Sequence, residues 1–228
     1  MLNNSSKKNR PFMILNTFIF DMDGVIIDSE PFWRQAQIDI LATYNVTITV
    51  ADCMEHSMGK RIDDIALTWC RLHALSIDPK ELEQEIIAAV ANLIATKGNA
   101  KKGLYELLTY LKTANFKIAL ATSSSQPIIQ AVFKRLSIAH YFDVVCSADE
   151  EVYGKPHPAV YLKVAKKLNV QPTNCLVLED SVTGLISAKA ASMTTLVIPE
   201  DVSDPRFSIA NYIFDSMLTV VDHLKQRS

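Results

Sequence analysis

The chain has 228 residues, of which 49% are apolar and 21% are charged. This length and composition indicate one globular domain, or one domain that carries a smaller insert, with enough apolar residues to bury a core. The 23 basic and 25 acidic residues give a formal net charge of −2. That balance gives no support to nucleic-acid binding, which normally requires a basic surface patch.

The N-terminal segment "SKKNRPFMILNTFIF" has the basic start and the apolar stretch of a secretory signal. Asn16 and Thr17 interrupt the apolar stretch, however, and no small-residue cleavage site follows. No apolar run approaches the ~20 residues of a membrane span, and the four cysteines lack the CxxC spacing of a metal or redox motif. We therefore expect a cytoplasmic monomer without membrane partners, with about ten disordered residues at its N-terminus.

The first predicted strand, residues 17–20, ends at two aspartates that are one residue apart, in "TFIFDMDGV". Like charges this close repel each other, and each loses hydration if the site is enclosed. Asp21 and Asp23 therefore belong either to a surface turn, where Asp and Gly are common, or to a site that uses the two carboxylates.

Residues 31–103 show helical spacing in "PFWRQAQIDILATY", "RIDDIALTWCRLHAL" and "DPKELEQEIIAAVANLIATK". The third segment begins with Asp78 as N-cap and Pro79 at the first helical position, and Glu81 is placed to complete a capping box. About seventy helical residues are far more than a normal connection between a strand and a helix contains. We therefore predict a helical cap domain over residues 31–103, inserted into a core formed by residues 1–30 and 104–228.

Five further strands are predicted in the second half of the chain, at residues 117–121, 142–146, 175–179, 194–198 and 211–214. Amphipathic segments such as "QPIIQAVFKRL" and "HPAVYLKVAKKL" separate them. Nearly continuous apolar strands that alternate with such helices indicate βαβ units and a parallel sheet that is covered on both faces. The predicted fold is α/β, a doubly wound, Rossmann-like parallel sheet with an inserted all-helical cap domain.

Polar side chains follow four of the predicted strands. They are Asp21 and Asp23 after the first strand, Thr122 and Ser123 after the second, Lys155 after the third, and Glu179 and Asp180 after the fourth. Each group has an ordinary interpretation as a helix cap or a solvated charge. Because the carboxyl ends of parallel strands meet at one edge, where open α/β sheets bind ligands, the joint occurrence favours a functional site.

The chemistry of this set of residues is specific. Clustered carboxylates require a cation, and an all-oxygen ligand set that is completed by substrate phosphate suits Mg²⁺. The hydroxyl and N–H groups of "TSSS", at a helix start, can bind phosphate oxygens, and Lys155 can stabilise the charge of a transferring group. One carboxylate remains as a nucleophile, and a second, two residues on, can act as general acid and base.

These motifs resemble those of the haloacid dehalogenase superfamily, in its phosphatase and phosphomutase branch. The four family motifs stand here, in the family's order, as "DMDGV", "IALATSS", "GKPHP" and "LEDSVTG". The helical insert between the first two is similar to the family's first cap type. Within that branch the whole chain is most similar to phosphatases of sugar and polyol phosphates.

The resemblance implies roles for the acidic residues. Asp21 would attack phosphorus and form an aspartyl phosphate, and Asp23 would protonate the leaving alcohol and then activate water. Mg²⁺ would be held by the side chains of Asp21 and Asp180 and by the backbone carbonyl of Asp23. Glu179 would support this site without binding the ion directly.

The resemblance also implies how the substrate is bound. The Thr122 hydroxyl and the Ser123 backbone would bind phosphoryl oxygens, and Lys155 would pair with both the nucleophile and the phosphate. The cap would reach the sugar or its phosphate through "MGKR", where Lys60 and Arg61 are the candidates. Those two charges are equally compatible with a solvated helix start.

The leading hypothesis is therefore a Mg²⁺-dependent phosphatase of small sugar or polyol phosphates. A hexose phosphate mutase is the alternative enzyme, but the family's mutases carry a His five residues after Asp28, where this chain has Trp33. A receiver-like signalling domain also combines an acceptor Asp with Mg²⁺, a hydroxyl residue and a Lys. Such a domain has no reason to carry a helical lid, whereas an enzyme that must exclude water does.

Overall fold

A six-stranded parallel sheet lies at the centre of the computed structural model, which describes residues 15–57 and 61–226. The strands are β1 (Thr17–Phe20), β2 (Lys117–Thr122), β3 (Val144–Ser147), β4 (Cys175–Glu179), β5 (Thr194–Val197) and β6 (Tyr212–Ile213). Their order is β3-β2-β1-β4-β5-β6, and every neighbouring pair is parallel. The six predicted strands are confirmed, and the predicted disordered N-terminus lies outside the described residues.

Helices cover both faces of the sheet. They are α5 (Leu104–Thr113), α6 (Gln126–Leu136), α7 (Ala159–Leu168), α8 (Val182–Ala190) and α9 (Met217–Lys225). Side chains alternate between the faces along a strand, so Phe18 and Phe20 share an apolar cluster with α5, α6 and α9. Ile19, between them, packs with α7 and α8 instead. This arrangement confirms the doubly wound α/β fold.

The described residues between β1 and α5 form four helices, which confirms an all-helical insert. They are α1 (Glu30–Thr43), α2 (Val50–His56), α3 (Ile62–Leu72) and α4 (Pro79–Lys97). The short α2 was not predicted, although Thr49 and Asp52 cap it reciprocally, with a Thr49 N to Asp52 Oδ2 distance of 2.7 Å. The domain boundaries at residues 31 and 103 stay a prediction.

The start of α4 differs in detail from the sequence expectation. Asp78 is its N-cap, but the Asp78 side chain accepts from Lys80 N at 2.8 Å. In the part of the chain that the structure describes, Glu81 does not complete a capping box with it. A Glu81 carboxylate brought back to this helix end would lie beside the Asp78 carboxylate, and like charges repel.

The helical insert packs directly against the core. The helix α4 contacts α6, and Arg135 Nε donates to Gly98 O at 2.8 Å where the insert rejoins the core. One apolar cluster runs from β1 into α1, α3 and α4, so the insert is seated on the edge of the sheet where the strands end. Within the described ranges, no helix has the length and apolar character that crossing a bilayer requires.

Candidate active site at the carboxyl edge of the sheet

A buried lysine joins three strands at this edge. Lys155 Nζ donates to Asp21 Oδ1 at 2.6 Å, to Glu179 Oε1 at 2.7 Å and to Ala121 O at 3.0 Å. An ammonium group has three hydrogens, so all of its donors are used. Asp21 is itself fixed by its backbone N–H, which donates to Leu178 O of β4 at 2.9 Å. The predicted pairing of Lys155 with Asp21 is therefore present.

The electrostatics of this cluster are dominated by burial. Burial alone would lower the pKa of Lys155, but the charges of Asp21 and Glu179 outweigh it and hold that pKa well above the ordinary value. Burial raises the pKa of Asp21 well above its ordinary value, with Lys155 opposing and the neighbouring carboxylates adding to the rise. Burial and then the Glu179 charge raise the pKa of Asp180 to about 7. Full ionisation of Asp21, Glu179 and Asp180 would thus place more negative charge here than one lysine can balance.

Glu179 is completely buried, and donors of the chain itself occupy both of its oxygens. Oε1 accepts from Lys155 and from the Tyr161 hydroxyl, the latter at 2.5 Å. Oε2 accepts from Ser181 Oγ at 3.0 Å and from the backbone N–H groups of Asp180 and Ser181. A carboxylate with five donors has little capacity left to bind a metal ion.

The acidic residues fit a divalent cation. One carboxylate oxygen from each of Asp21, Glu179 and Asp180 lies within 4.8 Å of the other two, and oxygen ligands suit Mg²⁺. Because Glu179 is saturated, Asp21 and Asp180 are the carboxylates that could hold the ion. Gly24 makes the close approach possible: its φ is +79°, and a Cβ there would lie 1.7 Å from Asp180 Oδ2.

Three hydroxyl groups hold the Asp23 carboxylate. Ser29 Oγ donates to its Oδ1 at 2.5 Å, while Ser124 Oγ at 2.7 Å and Thr122 Oγ1 at 3.4 Å contact Oδ2. Ser124 N in turn donates to Thr122 Oγ1 at 3.0 Å, and Ser147 Oγ donates to Ser124 O at 2.7 Å. The second aspartate is therefore oriented by the loop after β2 and by the residue that precedes α1.

A cavity of about 330 Å³ lies between this edge and the helical insert. Its sheet-edge wall includes Asp21, Asp23, Ser123, Ser124, Ser125, Asp149, Lys155 and Asp180, and its helical wall consists of the described lining residues from 30 to 65. Asp21, Asp23 and Lys155 thus face one space together with Trp33, whose position was open in the sequence. This geometry excludes the simple surface turn as an explanation of the paired aspartates.

The candidates in the helical insert have different positions. Arg61 lines the cavity, and its Nε donates to Asp63 Oδ1 at 3.2 Å. Lys60 lies outside the described residues. Trp69 is buried behind the wall, and its indole N–H donates at 2.9 Å to Oε1 of Gln37, which does line the cavity.

Two side chains of the site were not predicted from the sequence. Ser29 stands in the "DSE" that follows the first motif, but a serine before a helix is normally explained as a cap. Tyr161 lies on the buried face of α7, six residues after Lys155. The one signal for it is chemical, because a buried tyrosine hydroxyl needs a hydrogen-bond partner.

The comparisons with known proteins agree with this geometry. The sequence model of the haloacid dehalogenase-like hydrolases matches residues 15–192. Hexitol phosphatase B of Escherichia coli O157:H7 is 36% identical over 211 residues, covering 90% of this chain and 95% of that protein. Fructose-1-phosphate phosphatase YqaB of Escherichia coli (strain K12) is 33% identical over 177 residues, or 77% of this chain and 92% of that protein.

Among solved structures, the β-phosphoglucomutase of Clostridium difficile superposes with a TM-score of 0.77 at 26% identity. The match covers 93% of this chain and 96% of that one. The family model covers β1 to β4 and the helical insert together, in agreement with the resemblance that the four motifs carry. The chain belongs to the haloacid dehalogenase-like hydrolase family and is a phosphatase enzyme.

Proposed function

We propose that this enzyme is a Mg²⁺-dependent phosphatase that hydrolyses small sugar or polyol phosphates through an aspartyl phosphate on Asp21. The observation that carries the proposal is the buried Lys155–Asp21 pair, which lies beside Asp180 in the same cavity. Asp23, two residues after Asp21, faces the same cavity and accepts hydrogen bonds from three hydroxyl groups. The cavity of about 330 Å³ is at the small end of ligand sites, which run from roughly 300 to 1,000 Å³. The names of the two phosphatase relatives support the same class of substrate.

In the first step, a carboxylate oxygen of Asp21 forms a bond to phosphorus, and the bond from phosphorus to the sugar oxygen breaks. Asp23 gives a proton to that leaving oxygen, because an alkoxide is a poor leaving group. Lys155 holds Asp21 in place and contributes positive charge beside the phosphoryl group. Thr122 and the backbone of Ser123 would bind the phosphoryl oxygens.

In the second step, water attacks the phosphorus of the aspartyl phosphate while Asp23 takes a proton from it. The bond from phosphorus to Asp21 breaks, which restores the carboxylate and leaves inorganic phosphate. Mg²⁺, held by Asp21, Asp180 and the Asp23 backbone carbonyl, would neutralise charge on the phosphate. Asp21 therefore makes the first attack, water makes the second, and Asp23 carries out both proton transfers.

A hexose phosphate mutase is the second candidate, because the similarity extends to a solved β-phosphoglucomutase. The resemblance places the histidine of such mutases at position 33, where Trp33 lines the cavity instead. An indole ring cannot relay a proton as an imidazole does. We therefore favour hydrolysis, and the family match gives no support to the receiver-like alternative.

A release assay for inorganic phosphate tests the proposal. Purified protein is given hexitol, hexose and nucleoside monophosphates, with Mg²⁺ or with excess chelator, and hexose phosphates are also analysed for isomerised product. We expect fast phosphate release from the hexitol and hexose phosphates, and loss of activity on chelation that added Mg²⁺ restores. A preference for nucleotides would overturn the substrate class, and isomerisation without phosphate release would favour the mutase.

Calorimetric titration with Mg²⁺ tests the metal site independently of turnover. Asp180→Asn should weaken Mg²⁺ binding strongly, because it removes one of the two carboxylates free to hold the ion. Asp149→Asn is the matched control, since Asp149 lines the same cavity outside the carboxylate cluster. Equal Mg²⁺ affinity in all three proteins would overturn the assignment of the metal site.

A further inference from the structure

An ion pair on α1 lines the cavity and is not part of the carboxylate cluster. Arg34 Nη1 donates to Glu30 Oε2 at 2.6 Å, and both residues belong to the helical wall. A Glu that precedes an Arg by four residues is a common stabilising pair on helix surfaces. Here both side chains line the cavity, with Arg34 28% exposed and Glu30 60% exposed, so the pair contributes to the charge that a bound substrate meets.

The second arginine of the helical wall is also paired. Arg61 is hydrogen-bonded to Asp63, and the charge of Asp149, another lining residue, also acts on it. Both arginines that the described residues place on the cavity therefore already have a carboxylate partner. A substrate with a second anionic group would have to displace one of these carboxylates or lie close to it, and like charges repel.

Uncharged hydrogen-bonding groups in the same wall have capacity to spare. The Gln37 amide accepts from Trp69 and uses one N–H for Trp33 O at 3.0 Å, and its second N–H has no partner among the described residues. Ser57 Oγ donates its hydrogen to Cys53 O at 2.6 Å, and its lone pairs accept from no group in the part of the chain that the structure describes. Hydroxyl groups of a substrate can bind to both without breaking any bond of the wall.

We infer that Glu30 is a specificity-determining residue that neutralises Arg34 and so favours substrates whose end opposite the phosphate is uncharged. The inference rests on the proposed function and deepens it, because it concerns the non-reacting end of the substrate. Every substrate brings the same phosphate to the same carboxylate cluster. The charge of the helical wall therefore discriminates between substrates that differ only in the charge of the end opposite the phosphate.

Two substrates that differ in one group test this inference. Glucitol 6-phosphate and 6-phosphogluconate have the same carbon chain and the same phosphate, but the far end is a hydroxymethyl group in one and a carboxylate in the other. The ratio of their kcat/KM values is measured for the wild type, Glu30→Gln, Arg34→Gln and the double variant. Asp39→Asn is the matched control, since it removes a negative charge from the same helix at a residue outside the cavity lining.

The wild type should prefer glucitol 6-phosphate. Glu30→Gln leaves Arg34 free to bind a carboxylate, so it should lower the preference by about three- to tenfold, through faster hydrolysis of 6-phosphogluconate. Arg34→Gln leaves the Glu30 charge unpaired and should increase the preference. The double variant restores the net charge of the pair and should return the ratio to near the wild-type value, while Asp39→Asn should not change it.

Each contrary result has a distinct meaning. If the wild type hydrolyses both substrates equally, or Asp39→Asn shifts the ratio as much as Glu30→Gln, the role of Glu30 is overturned and the proposed function stands. The role of Glu30 is also overturned if the double variant keeps the ratio of the Glu30→Gln variant instead of returning to the wild-type ratio. Hydrolysis of p-nitrophenyl phosphate with no activity on either sugar compound would overturn the proposed substrate class, and this inference with it.

Discussion

The two walls of the cavity are built on different principles. In the sheet-edge wall, the charged groups Lys155 and Asp23 are each held by three hydrogen bonds to residues at or near the ends of strands. In the helical wall, apolar side chains alternate with simple pairs such as Glu30–Arg34. Rigid strand ends can hold reacting groups precisely. Residues on the helix surfaces can be substituted one at a time without disturbing those reacting groups. Under the proposed function, the first wall carries the chemistry and the second wall selects the substrate.

The largest effect should come from Asp21→Asn, in the sheet-edge wall. An amide cannot attack phosphorus, so kcat should fall by about 10⁴-fold or more on every substrate. The measurement is phosphate release together with acid-quench trapping of the phosphorylated enzyme, which should disappear. Wild-type rates in this variant would place the nucleophile elsewhere.

The stability of Asp21→Asn separates loss of chemistry from loss of fold. Burial and like charges raise the pKa of Asp21 above its ordinary value of 3.8, so the folded, metal-free protein holds this proton more strongly than the unfolded chain does. The contribution of Asp21 to stability then falls as the pH rises above that value. Without metal at neutral pH, the Asn variant should therefore melt no lower than the wild type, which thermal denaturation in chelator measures.

Asp23→Asn should have the next largest effect, and the effect should depend on the leaving group. General acid–base catalysis is typically worth about 10²–10⁴-fold, and a sugar alkoxide leaves poorly without a proton, whereas p-nitrophenolate hardly needs one. Rapid mixing with p-nitrophenyl phosphate should therefore give a burst of nitrophenol followed by slow turnover, because hydrolysis of the aspartyl phosphate still lacks its base.

Matched kinetics on a sugar phosphate complete this test. If Asp23→Asn slows the first step equally for both substrates, Asp23 only shapes the metal site and transfers no proton. Ser29→Ala provides a graded comparison, because it removes one of the three hydroxyls on Asp23 and leaves the carboxylate. We expect a loss of about tenfold or less from that variant.

The sheet-edge wall could be predicted from the sequence because its geometry follows from topology. Once six apolar segments are recognised as parallel strands, the residues after each strand must meet at one edge. Asp21, Thr122, Lys155 and Asp180 were placed by that rule, and the structure brings them to the same edge. Tyr161 was missed because its ring packs like any other core residue, and only its hydroxyl reaches Glu179.

The helical wall could not be predicted in the same way. Trp33 and Trp69 both lie in helical segments of the insert, but one lines the cavity and the other is buried behind it. Helical periodicity gives the apolar face of each helix, but not which part of that face meets the core and which part borders a cavity. The rotation of α1 and α3 against the sheet is set by tertiary packing, so residues such as Gln37 became evident only in the structure.

A smaller effect is expected from Trp69→Phe, behind the helical wall. The change removes the indole N–H that donates to Gln37 Oε1, so the buried amide loses a partner and its orientation. We expect the free energy of unfolding to fall by about 1–3 kcal/mol, with KM for a sugar phosphate raised a few-fold and kcat nearly unchanged.

Tyr44→Phe is the control for Trp69→Phe, because it deletes a hydroxyl that donates to Glu85 at an exposed position of the insert. It should change neither KM nor kcat. A fall in kcat without a change in KM for Trp69→Phe would contradict the division of labour between the walls, since it would link the insert to the chemical step.

The smallest effect concerns Ser125, the one hydroxyl of the described sheet-edge wall that is buried without a hydrogen-bond partner. An unpaired buried hydroxyl costs about 1–3 kcal/mol, and although Ser125 is the N-cap of α6, it makes no side-chain cap bond. Ser125→Ala should therefore leave the free energy of unfolding unchanged or raise it by about 1 kcal/mol at most.

Ser216→Ala is the matched control, since Ser216 Oγ caps α9 by accepting from Thr219 N at 3.3 Å, and its loss should cost about 1 kcal/mol. Urea denaturation of both variants measures the difference in the free energy of unfolding. A clear loss of stability in Ser125→Ala would mean that an ordered water is hydrogen-bonded to this hydroxyl, so that Ser125 is not an unpaired group in the sheet-edge wall.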